Sequence, residues 1–122
     1  MLVTKQAPNF TAEALKADGT FDDKFELYSN IGKNGAILFF WPKDFTFVCP
    51  SEIIAFNNRV KEFNDRGINL IGISVDSKEV HFAWRSTAVN QGGIGEVAFP
   101  IVSDITKAIS GDYDVLFNGA VW

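Results

Sequence analysis

Ala36-Ile37-Leu38-Phe39-Phe40-Trp41 is an unbroken apolar run closed by Pro42. Successive side chains of a strand point to opposite faces, so a strand with one wet face alternates apolar and polar residues. An unbroken run therefore predicts a strand covered on both sides, and helices supply that cover in α/β architecture. The following residues fit such a helix. Pro50 suits the first helical position, and Ile53, Phe56, Val60 and Phe63 recur at spacings of three, four and three, on one helix face. Gly67 suits the residue just past its end. Residues 68–75 then form a second apolar strand.

The alternation continues. Asp76 reads as an N-cap with Glu79 as its reciprocal partner, opening a helix that buries Val80, Ala83 and Trp84. Residues 99–102 read as a third strand. Asp104 caps a short helix with Ile105, Ala108 and Ile109, stopped near Gly111, and Val115-Leu116-Phe117 starts a fourth strand. This order predicts an α/β fold with a central, mainly parallel sheet and flanking helices. Residues 1–28 read as an irregular opening with a turn at Asp18-Gly19-Thr20, and Gly32-Lys33-Asn34-Gly35 as a loop. Residues 114–122 are mostly apolar and bring no closing helix or polar tail. Residues 1–122 are thus expected to be a single incomplete domain with its C-terminal part missing.

Composition narrows the function classes. With 122 residues, 47% of them apolar and twelve of them Phe, the chain has ample material for one core. A net charge of -4 argues against nucleic acid as a partner. One cysteine excludes an internal disulfide, and with a single histidine it leaves a four-ligand zinc site without ligands. No metal or organic cofactor is indicated. No apolar run reaches membrane-spanning length and the N-terminus lacks a signal-peptide pattern, so a soluble cytoplasmic protein with no membrane partner is expected.

Cys49 is the residue with the most chemistry. It directly precedes Pro50, at the start of the predicted helix, where unpaired N–H groups and the helix dipole favour a thiolate. The alternative is a buried structural cysteine acting as a small hydrophobe. Its neighbours bear on the choice. Pro42, Thr46 and Cys49 stand in the spacing P-x-x-x-T-x-x-C, on the loop that leaves a strand and enters a helix.

Asp44-Phe45-Thr46-Phe47-Val48-Cys49-Pro50-Ser51-Glu52 resembles, almost letter for letter, the peroxiredoxins of the alkyl hydroperoxide reductase C, or thiol-specific antioxidant, branch with two redox cysteines. The resemblance runs to about Phe117. It implies a thioredoxin-like (peroxiredoxin) fold, and reduction of hydrogen peroxide and organic hydroperoxides by a peroxidatic Cys49 that becomes a sulfenic acid. Thr46 would bond the thiolate or the peroxide, Pro42 would shield the pocket from water, and Glu52 would orient an active-site arginine. The implied partners are an external thiol reductant, thioredoxin or a flavoprotein disulfide reductase, and further subunits in dimers and decamers.

Two family elements have no counterpart here. None of Arg59, Arg66 and Arg85 matches the active-site arginine, and there is no second cysteine to act as resolving residue. The competing reading is therefore a non-catalytic fragment or interaction module of a peroxiredoxin assembly. A disulfide reductase is disfavoured because Pro50, Ser51 and Glu52 follow Cys49, so no C-x-x-C exists.

The remaining residues have simpler readings. Gly92-Gly93-Ile94-Gly95 resembles a family motif linked to over-oxidation, or is a flexible turn. His81 reads as an ordinary helix-face histidine, Trp41 and Trp84 as core. The Phe residues read as core by default, with Phe45 and Phe47 as alternatives for lining the substrate pocket or a subunit interface. Asp22-Asp23, Asp112 and Asp114 read as solvated turns.

Overall fold

The apolar run forms β3 (Gly35–Phe40) in the computed structural model, which describes residues 3–41, 50–87, 93–95, 97–117 and 120–121. It pairs in parallel with β4 (Ile68–Ser74), which pairs in parallel with β5 (Ile101–Ser103). Both faces of β4 are covered, which explains the run Leu70-Ile71-Gly72-Ile73 at its centre. Leu70 belongs to one core cluster with Trp41, Ile53, Val60, Trp84 and Phe99; Ile71 and Ile73 belong to a second with Ala14, Phe25, Leu27 and Ile109. Trp41 and Trp84 are core residues, as expected.

The opening residues are not irregular. They form an antiparallel hairpin, β1 (Thr11–Leu15) and β2 (Phe21–Glu26), and β1 also pairs antiparallel with β5. The five-stranded order is β2-β1-β5-β4-β3. The sheet is thus mixed, parallel across β3, β4 and β5 and antiparallel where β1 joins. The hairpin escaped the sequence reading because β2 is an edge strand, Phe21-Asp22-Asp23-Lys24-Phe25-Glu26, in which only Phe25 is buried. Asp22 and Asp23 lie in this strand, not in a turn. The expected turn is present: Gly19 takes a φ of 88° and Asp18 Oδ1 accepts from the N–H and the hydroxyl of Thr20. Those bonds hold the Asp18 carboxyl below its ordinary pKa.

The single helix expected after Pro50 is two, α1 (Pro50–Asn57) and α2 (Val60–Asp65). At the break the Arg59 N–H reaches back three residues to the Phe56 carbonyl instead of four. The apolar stripe survives it, because Ile53 and Val60 are buried and Phe56 and Phe63 pack against the same cluster. Gly67 follows α2 with a φ of 73°, and a Cβ there would sit 3.0 Å from Asn34 Nδ2.

Helix α3 (Lys78–Arg85) is capped by Ser77, whose hydroxyl accepts from the Val80 N–H at 3.2 Å, one residue later than the predicted Asp76. Its buried residues are His81 and Trp84; Val80 is half-buried and Ala83 exposed. The later start turns the inward face, and Lys78 ion-pairs with Asp23 of β2 and Glu13 of β1. Helix α4 (Ala108–Asp112) starts after Lys107, with Ile105 outside it and exposed. Asp104 still serves it, because its carboxylate accepts from the Ile109 and Ser110 N–H groups and the Ser110 hydroxyl. Asp112 is its last residue and Asp114 takes a left-handed φ of 59°. The expected fourth strand does not join the sheet. Leu116–Phe117 (β6) pairs antiparallel with Ala120–Val121 (β7) in a separate pair, and Asn118-Gly119, a strong hairpin signal, lies between them in the sequence. No described helix is long and apolar enough to cross a membrane.

Tyr113 joins the two ends of the described chain. Its ring packs edge-on to Phe10 at 6.3 Å and beside Phe40, and its hydroxyl donates to the Pro8 carbonyl. Burial pushes its pKa up to about 12, with smaller contributions from Tyr28 and Asp112. The folded state holds this proton more tightly than the unfolded state, so the associated stability is intact below pH 10 and is lost as pH rises through about 12. Absorbance titration at the tyrosinate band should show Tyr113 ionising near pH 12. Replacing it with Phe should remove that late step.

Candidate active site

Residues 42–49, outside the described residues, connect in sequence the C-terminal end of parallel strand β3 to the start of α1, the position at which open α/β sheets collect their ligand sites. Both of its ends are anchored. On the strand side, Trp41 is buried and donates its backbone N–H to the Ile73 carbonyl at 3.1 Å, which carries the β3–β4 ladder one residue past β3. Its ring meets those of Phe39, Trp84 and His81 at centroid distances of 5.7, 6.1 and 6.4 Å.

On the helix side, α1 is held at three points. Ile53 is 1% exposed in the core, Phe56 stacks on Phe39 of β3 at 4.5 Å, and the Asn57 amide oxygen accepts from the Ala98 N–H at 2.8 Å. The free N–H groups of the first turn of α1 are thereby fixed at the point where the loop arrives. Cys49 immediately precedes that turn in the chain, and Glu52 lies within it. Cys49, Thr46, Pro42, Phe45 and Phe47 themselves lie outside the described residues.

His81 is fully buried on the inner face of α3, with Nε2 3.3 Å from the Val102 carbonyl. Residues 93–95, between α3 and β5 in the sequence, are not a free turn but pack onto α3. The Ile94 N–H donates to the Trp84 carbonyl and its side chain is buried, while the Gly95 N–H donates to Thr87. A Cβ on Gly93 would fall 2.1 Å from the Thr87 carbonyl oxygen, so only glycine fits. Gly92 lies outside the described residues. The arginines have other tasks: Arg85 donates to the Lys16 and Ala17 carbonyls, Arg59 pairs with Glu62, and Arg66 closes α2. Among the described residues no three His, Cys, Asp or Glu side chains gather to hold a metal ion.

A family model described as the AhpC/TSA family matches residues 3–121. The chain belongs to the AhpC/TSA family. It is 64% identical over 121 residues to alkyl hydroperoxide reductase C of Helicobacter pylori (strain ATCC 700392 / 26695), covering 99% of this chain and 61% of that protein. It is 48% identical to the chloroplastic 2-Cys peroxiredoxin BAS1 of Hordeum vulgare, covering 94% of this chain and 54% of the relative. The crystal structure of reduced Plasmodium vivax 2-Cys peroxiredoxin superposes with a TM-score of 0.90 at 50% identity, covering 96% of this chain and 60% of that one. This AhpC/TSA chain therefore has the peroxiredoxin fold, and it spans about three fifths of the length of the Helicobacter relative.

Gly72 and His81 both pack on Trp41, contacts that no sequence motif marks. The one available signal was Gly72 itself, a glycine inside an otherwise apolar strand, which often marks a close approach.

Proposed function

We propose that this chain carries the peroxide-reacting centre of a thiol peroxidase, with Cys49 as the peroxidatic residue. The observation that supports it is the start of α1 at Pro50, directly after the only cysteine, on a helix pinned by Phe56 against β3. A thiol at a helix start is biased toward the thiolate, the nucleophilic form.

In this reading the Cys49 thiolate attacks one peroxide oxygen. A sulfur–oxygen bond forms and the O–O bond breaks. The sulfur is oxidised by two electrons to the sulfenic acid, and the other oxygen leaves as water or an alcohol after taking up a proton. The Thr46 hydroxyl donates to the thiolate or to the peroxide, and the Cys49 N–H supplies a second donor for charge developing on the leaving oxygen. Pro42, lacking an N–H, keeps water from the sulfenic acid, and Glu52 takes the place of the residue that orients the family's arginine. An external thiol then condenses with the sulfenic acid, releasing water, and a second thiol reduces the mixed disulfide. The reductant is of the thioredoxin or flavoprotein disulfide reductase class, and a thiol kept reduced in this way suits the cytoplasm.

The test is the rate of Cys49 oxidation by stoichiometric hydrogen peroxide, read by intact mass with a sulfenic-acid trap. Folded chain should react at least about a hundredfold faster than urea-unfolded chain. Equal rates would overturn the proposal and leave the chain as a non-catalytic module.

A further inference from the structure

The two margins of the five-stranded sheet differ in kind. The order β2-β1-β5-β4-β3 leaves β2 at one margin and β3 at the other. β2 carries Asp22, Asp23, Lys24 and Glu26, and charges on an edge strand discourage a further strand from pairing with it. β3 is Gly35-Ala36-Ile37-Leu38-Phe39-Phe40, with neither charge nor proline, and every one of its residues is half-buried. Its faces are packed. Ile37 and Phe39 lie against one core cluster, and Ala36, Leu38 and Phe40 against the other. What stays open is its edge.

The main chain presents that edge through alternate residues. The Trp41 N–H donates to the Ile73 carbonyl of β4, and successive residues of a strand turn their N–H and C=O groups to opposite sides. Ile37 and Phe39 therefore serve the β4 ladder, while Ala36, Leu38 and Phe40 turn theirs outward. Among the described residues no strand pairs with that side of β3. Beside the edge, Phe56 stacks on Phe39 and its ring lies 6.4 Å from that of Phe63. Ala55, Phe56, Arg59 and Phe63 line an apolar hollow of about 280 Å³ there.

We infer that the open edge of β3 pairs with β3 of a second copy of this chain, antiparallel about a two-fold axis at Leu38. The strand is self-complementary in that register. Leu38 stands opposite the partner's Leu38. Ala36 stands opposite the partner's Phe40, small against large, and Ile37 opposite the partner's Phe39, a β-branched and aromatic pairing that stabilises sheets. Each outward N–H and C=O of Ala36, Leu38 and Phe40 then finds its counterpart in the copy, as the hydrogen-bonded pairs of an antiparallel ladder do. No charged side chain of either β3 enters the seam, so like charges do not oppose it. The axis runs perpendicular to the sheet, so both Phe56–Phe63 hollows come to lie on one face of the joined sheet, on either side of the seam. This match of sizes and lack of charge favour a second copy over a strand of other sequence. The inference does not depend on whether Cys49 reacts with peroxide.

The test is the association of the full 122-residue chain, followed by sedimentation velocity from about 1 μM to about 500 μM. The mean mass should rise toward twice that of one chain. Amide hydrogen exchange, read residue by residue at both ends of that range, locates the seam. Ile37 and Phe39 should be protected throughout, and Ala36, Leu38 and Phe40 should slow by at least about tenfold only in the concentrated sample. Ala36→Pro removes an outward N–H and sets a ring on the edge without touching the β4 ladder, so it should weaken association by about tenfold or more with the circular dichroism spectrum retained. The exchange pattern of the parent needs no variant, so it decides the matter even if Ala36→Pro does not fold. A parent that stays monomeric over the whole range overturns the inference, whether its outward amides are open or are protected by another part of its own chain. A dimer whose outward amides exchange as fast as in the monomer overturns it too, since its seam lies elsewhere, as does a folded Ala36→Pro chain that associates as tightly as the parent.

Discussion

Replacing Cys49 by Ser should abolish peroxide reduction, a loss of at least about a thousandfold. The reason is chemical. A serine hydroxyl is not ionised near neutral pH, and an alkoxide would have to form an O–O bond where sulfur forms a stable S–O bond. The sulfenic acid that stores the two electrons of the reaction needs sulfur. Nor can another residue take over, because Cys49 is the only cysteine in the chain. The measurement is peroxide consumption under excess dithiothreitol, with the parent and the variant compared at equal circular dichroism signal. Turnover persisting in Cys49→Ser would remove Cys49 from the reaction.

The second large effect lies in the core. Asp104 is 2% exposed, yet its carboxylate accepts three hydrogen bonds, at 3.0 Å from the Ile109 N–H and at 2.7 and 2.6 Å from the Ser110 N–H and hydroxyl. It caps α4 from outside the helix. Its own N–H donates to the Ser74 carbonyl, which ties the cap to the end of β4. Replacement by Ala would leave two backbone donors and a hydroxyl buried without acceptors. Each such orphan costs about 1–3 kcal/mol, so Asp104→Ala should destabilise the fold by about 3–5 kcal/mol. Asp104→Asn keeps one accepting oxygen and should lose about half of that. Urea unfolding of the three chains at fixed pH measures both, and an Ala variant within about 1 kcal/mol of the parent would show that water takes over the acceptor role.

Asp104 also illustrates what the sequence could and could not disclose. Its role as a cap was legible because Asp is a favoured capping residue and stands just ahead of the apolar residues Ile105, Ala108 and Ile109. Its distance from the helix was not, because Lys107 takes a left-handed φ of 65° that no pattern announces. The strands β3, β4 and β5 were legible because their packed stretches on both faces are runs of apolar residues and glycine, with polar residues few. β1 and β2 were not, because a hairpin with one wet face and a charged edge writes mostly polar letters. On α3 the cap is Ser77 rather than Asp76, and the buried face carries His81 in place of the expected Ala83. The spacing of Pro42, Thr46 and Cys49 suggested the chemistry proposed above, whereas the packing around Trp41 left no motif in the sequence. The contact between Trp41 and Gly72 joins residues that only the parallel register of β3 and β4 brings together.

That register has a counterpart in time. β1, the earliest of the described strands in the sequence, has its inner neighbour in β5, with Ala14 opposite Val102, and the Tyr113–Pro8 hydrogen bond spans 105 residues. As the chain emerges, the hairpin can close on itself at once, but its open edge must wait for almost the whole of the sheet to be made. Contacts of such separation are the slow ones, since the intervening chain must be ordered before they repay it. The docking of the β1–β2 hairpin onto β5 is therefore expected among the late steps of folding.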